Sequence, residues 1–236
     1  MNKGKWIMGV LLGGAIAIAS GVQAQPLQAI SPEDLVLQLQ RDKKPGGSRD
    51  SVFNRACAIA PRLLTEDDAS EQVWSLQPLF LWQLESATVA RINLYLLEAD
   101  EQPIWSYEPA PDATQLAYDG EPLVPGQKYG WEVIVAANDP APGQLNLSSG
   151  DDYGSFLVMA TSERERIERD LVALEARLKA AAASPEAMAL ERAHYFAAQS
   201  LWSDALGELY AVTDPSPELL AAREQLQALN FCAIGR

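Results

Sequence analysis

The chain has 236 residues, is 48% hydrophobic with a mean hydropathy of -0.09, and carries a net charge of -14. That length leaves room for one large or two small domains, each burying its own core. The acid excess excludes nucleic acid as a partner, since phosphate contacts need clustered Lys and Arg, and it disfavours an anionic membrane surface.

Residues 1–24 have the pattern of a secretory signal peptide. Lys3 and Lys5 make a basic start, Ile7 to Ala19 an apolar run, and Val22-Gln23-Ala24 a cleavage site, so cleavage is expected after Ala24. The run is shorter than the roughly 20 residues of a membrane span. No Cys follows it to carry a lipid. The expected product is exported, periplasmic or extracellular, with no membrane insertion after cleavage and with disulfides permitted.

Residues 25–56 are expected to be a flexible arm. Ser31-Pro32-Glu33-Asp34 fits a helix start, while Leu35, Leu37 and Leu39 alternate as in a strand. Lys43-Lys44-Pro45-Gly46-Gly47-Ser48 is linker chemistry.

Residues 57–160 read as short strands separated by turns. Expected strands include 73–76, 79–84, 88–97, 103–107, 113–118, 129–135 and 153–159. Phe80, Trp82 and Leu84 share one face of the second, and Tyr129, Trp131, Val133 and Val135 one face of the sixth. Leu123-Val124-Pro125-Gly126 before Tyr129 is similar to the tyrosine corner of Greek-key sandwiches, where a Tyr hydroxyl returns to nearby backbone. The expected fold here is an antiparallel β-sandwich of immunoglobulin or fibronectin-III type.

From Thr161 the period changes to that of a helix. Ile167, Leu171, Leu174 and Leu178 make one apolar stripe, and Ala189, Ala193, Phe196 and Ala197 a second. Ala205, Leu206, Leu209 and Val212 mark a third helix, and Leu219, Leu220, Leu226 and Leu229 a fourth. Residues 161–236 are thus an expected all-α domain, making the whole α+β in two parts. Ala193, Phe196, Ala205, Leu209 and Pro217 resemble the spacing of a tetratricopeptide repeat, although Ala189 stands where a Trp is usual. The resemblance implies a concave partner face made by Leu190, His194, Ala197 and Ala198.

The order of parts also resembles a family of exported cyanobacterial proteins with a domain of unknown function. The matching residues are Gly46-Gly47 with Cys57, Pro78 to Trp82, Pro125 to Trp131, and Trp202-Ser203-Asp204-Ala205-Leu206. These motifs are structural and imply no activity.

Catalytic chemistry is sparse. His194 is the single His, and it lies mid-helix. Cys57 and Cys232 have no metal-ligand spacing, and no phosphate loop or nucleophile elbow is present. No metal or cofactor is expected. In an exported chain Cys57 and Cys232 either pair as a disulfide or stay as two thiols. Glu66, Asp67, Asp68 and Glu71 read as a solvated turn. The expected function is non-enzymatic, a protein–protein interaction or scaffold module with an unknown protein partner. The alternatives are a sugar-binding module using Trp74, Trp82, Trp105, Trp131, Tyr95, Tyr107 and Tyr118, and a hydrolase working with carboxylates alone.

Overall fold

The computed structural model describes residues 31–42, 56–61, 71–84, 88–97, 102–136 and 154–229. Within them the chain is mixed α+β, with two sheets and five helices. Strands β1 (Ala56–Ala60), β3 (Leu79–Leu84) and β6 (Gln115–Ala117) form an antiparallel sheet in the order β1-β3-β6. Strands β2 (Glu71–Val73), β8 (Gly154–Val158), β7 (Lys128–Val135), β4 (Val89–Leu96) and β5 (Trp105–Tyr107) form the second sheet, in that order. The pairs within it are antiparallel except β2 with β8, which run parallel. Antiparallel pairing throughout was the expectation. Alternation encodes which face a residue takes and not the direction in which its strand enters the sheet.

Period two places one residue in two inside. Phe80 and Trp82 of β3, Ile92 and Leu94 of β4, Trp131 of β7 and Phe156 of β8 are buried in one cluster fed by both sheets. The rings of Phe80 and Trp131 lie 4.8 Å apart, and those of Trp82 and Trp131 6.4 Å apart. The Trp131 indole N–H donates to the Pro61 carbonyl at 2.6 Å. Gly154 stands opposite Trp131 across the β7–β8 ladder. A Cβ there would fall 2.1 Å from Trp131 Nε1, so this close approach requires glycine.

The β7 entry follows from turn chemistry. Pro125 presets one corner of the turn, and Gly126 takes φ +81, which a side chain would oppose. The Gln127 N–H then donates to the Val124 carbonyl. Tyr129, next inward on β7, sends its hydroxyl back to the same turn, where it accepts the Val124 N–H at 2.9 Å.

Helices α2 (Thr161–Ala180), α3 (Pro185–Ala198), α4 (Trp202–Ala211) and α5 (Pro217–Ala228) follow. Two of them begin alike. Ser184 and Ser216 are N-caps whose hydroxyls accept the Ala187 and Leu219 N–H groups, each with Pro as the first helical residue. The stripes read from the sequence face inward, with Ile167, Leu171, Leu178, Ala193, Phe196, Leu209, Leu219 and Leu226 buried; Leu220 is exposed. Pro32–Asp42, placed by the sequence in a flexible arm, is helix α1. Ser31 Oγ accepts the Asp34 N–H, and Leu35 and Val36 are buried while Leu37 is exposed. The helical period prevails over the Leu35/37/39 alternation because the other helices offer Leu35 and Val36 a seat.

The change of period at Thr161 does not coincide with the border between the two cores. Leu81 of β3, Ile59 and Ala60 of β1, and Met159 pack in the same cluster as the helices. Strand β3 is therefore apolar on both faces, Phe80 and Trp82 toward one core and Leu81 toward the other. A polar exchange completes the junction. Helix α4 has no side-chain cap of its own. Glu71 of β2 supplies one, accepting the Ser203 N–H at 3.0 Å and its hydroxyl. In return Asp204 accepts the Trp74 and Ser75 N–H groups, each at 2.8 Å. Trp74 lies 5.5 Å from the Phe196 ring, under the Arg164 guanidinium, and donates its indole N–H to the Arg164 carbonyl. Burial pushes the Asp204 carboxyl up to about 7, with the two amide donors and Arg164 pulling the other way. Glu71 is thus a helix cap and not part of a solvated turn.

Candidate binding surfaces

The first surface is the seat of α1. This helix packs on α3 and α5. Leu35 and Val36 meet Trp202, Ala205, Leu206 and Leu209 of α4 and Leu226 of α5, leaving a void of about 10 Å³ between them. The floor is apolar, built from Trp202, Ala205, Leu206, Leu209 and Leu226. Charge ties the surrounding helices together. Arg192 of α3 donates to Glu175 of α2 at 2.7 Å and to Glu208 of α4 at 2.6 Å. Arg223 of α5 donates to the Leu209 and Val212 carbonyls, closing the end of α4. The arrangement can hold a short helix with apolar residues on one face, the helix-in-groove mode of recognition.

The partner face expected on α3 is not one open surface. Ala197 is buried in the core, Leu190 is half-buried against it, and Ala198 is exposed. His194 is half-buried, its Nδ1 enclosed without a hydrogen-bond partner among the described residues. Helices α1, α2 and α4 all pack on α3. Cys57 is in β1, and Cys232 lies outside the described residues, as does the Ala24 cleavage site. The disulfide and the signal peptide therefore stay expectations.

Of the aromatics named for sugar stacking, Trp105 and Tyr107 lie side by side, half-buried and exposed respectively, while others are enclosed. Trp82 and Trp131 are fully buried, Tyr118 is buried, and Trp74 is in the junction. Tyr95 belongs to a polar network on the outer face of the five-stranded sheet. There Asn93 donates to Tyr95 and Glu132, Tyr95 donates to Glu132, and Ser106 donates to Asn93. The sequence offered no sign of this network. Only the β4, β5 and β7 registers bring its members together. Each donor in it has an acceptor, which makes it a device for fixing strand register.

The second surface is an open cleft of about 720 Å³ where β5 meets the loop between β6 and β7. Ile104, Trp105, Tyr118, Asp119, Glu121 and Val124 line it. The Trp105 indole N–H donates to Asp119 at 3.1 Å, and Trp105 is stacked on Tyr107 with 13° between the rings. Both carboxylates are exposed. Among the described residues, no three His, Cys, Asp or Glu side chains gather as metal ligands, and no helix is long and apolar enough to cross a membrane. No protein-family model, curated protein or solved structure matches the chain.

Proposed function

We propose that the chain is an exported, non-enzymatic protein-interaction module whose helical groove binds an amphipathic helix. In this reading the β part is a scaffold of immunoglobulin or fibronectin-III type and α3 to α5 are tetratricopeptide-like. One observation carries the reading: the groove already holds such a helix, α1, through Leu35 and Val36. The return of the Tyr129 hydroxyl to Val124 supports the scaffold assignment, and the paired Ser-Pro helix starts at 184 and 216 support the repeat assignment. Export rests on the pattern of residues 1–24 and on the family resemblance. It is tested by N-terminal sequencing of secreted protein, which should begin at Gln25.

The groove is tested by emptying it. In the full chain, Leu35→Asp with Val36→Asp should release α1, because charges in the seat cannot be paired. A synthetic peptide of residues 31–42 should then bind this variant with a dissociation constant of roughly 10–100 μM and bind the unmodified chain at least tenfold more weakly, since the tethered copy competes at roughly millimolar effective concentration. Equal binding to both, or binding to neither, contradicts the reading.

A further inference from the structure

We infer that the cleft beside β5 is a second binding site, one that takes a short extended peptide carrying apolar and basic side chains. Seven large apolar residues are exposed among the described residues, and three of them lie in or beside this cleft. Ile104 (51% exposed) and Val124 (54%) line the cleft, and Tyr107 stacks on the lining residue Trp105. Exposed apolar residues scattered singly need no explanation, whereas a cluster at the rim of a cavity marks a contact surface. The volume is that of a cavity holding a small ligand or a few side chains.

Charge selects the occupant. The lining includes the exposed carboxylates Asp119 and Glu121 and no Lys or Arg. A cationic side chain beside an apolar one meets both features. A sugar ring meets them poorly. Stacking needs a free aromatic face, and Trp105 is stacked on Tyr107 and lies 6.0 Å from Phe80 with 28° between the rings. Tyr118 lies edge-on to Trp105, its hydroxyl committed to the Glu121 carbonyl. The floor is rigid as well. Trp105 is held by Asp119, and Tyr129 beneath the loop is held by Val124, so the cleft is formed before anything enters it. It shares no lining residue with the α1 seat, and the inference does not depend on the helical groove.

The test uses the full chain with nitrogen-15 in its tryptophans. Acetylated, amidated hexapeptides of alternating Lys and Val are the probe; alternating Glu and Val, and cellohexaose, are the comparators. The Lys–Val peptide should shift the Trp105 indole N–H signal to saturation at submillimolar concentration and leave the Trp82 and Trp131 signals in place. Glu121→Gln should weaken binding about threefold, and Ile104→Ser about tenfold. Both residues are exposed, and unmoved Trp82 and Trp131 signals show that the variants keep the fold. Four results would overturn the inference: no shift with Lys–Val peptide at several millimolar, equal shifts with the Glu–Val peptide, a shift with cellohexaose alone, or variants that bind as tightly as the parent.

Discussion

Trp131 and Trp74 show two ways of holding a tryptophan. Trp131 is fully buried among Phe80 and Trp82, and its N–H reaches a carbonyl inside the β core. Trp74 is half-buried where sheet meets helices, between Phe196 and the Arg164 guanidinium, with its backbone N–H held by Asp204. The first region is held by apolar area and close packing. The second is held by a carboxylate, a cap and a cation. It follows that packing changes should damage the core at any pH, whereas damage at the junction should depend on pH.

The largest effect is expected at Gly154. Gly154→Ala drives a methyl group into Trp131 and the Pro61 carbonyl, both under 3 Å from the added carbon. A loss of about 3 kcal/mol in urea unfolding is expected, the same at pH 5 and pH 7.5. A neutral outcome would show that the ladder opposite Trp131 can open.

At the junction, Asp204→Ala strands the Trp74 and Ser75 N–H groups and should cost about 2–3 kcal/mol. Asp204→Asn keeps one acceptor and should cost less. The carboxyl's folded pKa of about 7 stands above the ordinary 3.8 of an exposed Asp. Its contribution to stability is therefore full below about pH 3.8, falls as pH rises toward 7, and stays at its lower value above. The melting temperature of the parent relative to Asp204→Asn should consequently rise when the pH is lowered from 7.5 to 5. A difference that is flat with pH, or of the opposite sign, would show that the junction carboxylate ionises freely.

A smaller effect separates the turn from both regions. Tyr129→Phe leaves the Val124 N–H without its acceptor while keeping the buried ring, and a loss of about 1 kcal/mol is expected by calorimetry.

The two regions were unequally legible. Alternation along 129–135 and 79–84 marks Trp131, Phe80 and Trp82 as inward, because a strand's period is set by its own backbone. The same rule misses Leu81, which faces a second core that only the arriving helices create. Asp204 and its partners Trp74 and Ser75 lie about 130 residues apart in the chain, and no local pattern joins them. Glu71 sat in an acidic run and read as solvated, although it caps α4. Leu35, Leu37 and Leu39 satisfied strand and helix alike until a groove decided between them. The Leu190–Ala198 face was spaced as a surface should be. Ala197 is buried there and Leu190 half-buried, in surroundings that spacing on α3 does not encode. The cleft joins β5 to a loop that follows β6, so its residues are gathered by topology alone.

The central claim is that α1 is a resident ligand of the helical groove rather than a permanent part of the core. Amide hydrogen exchange on the full chain tests it directly, because locally released segments exchange faster than those requiring global unfolding. The amides of α1 should exchange at least tenfold faster than the interior amides of α4. A large excess of the 31–42 peptide should speed α1 further without changing α4. Equal protection of α1 and α4, unmoved by the peptide, would contradict the account.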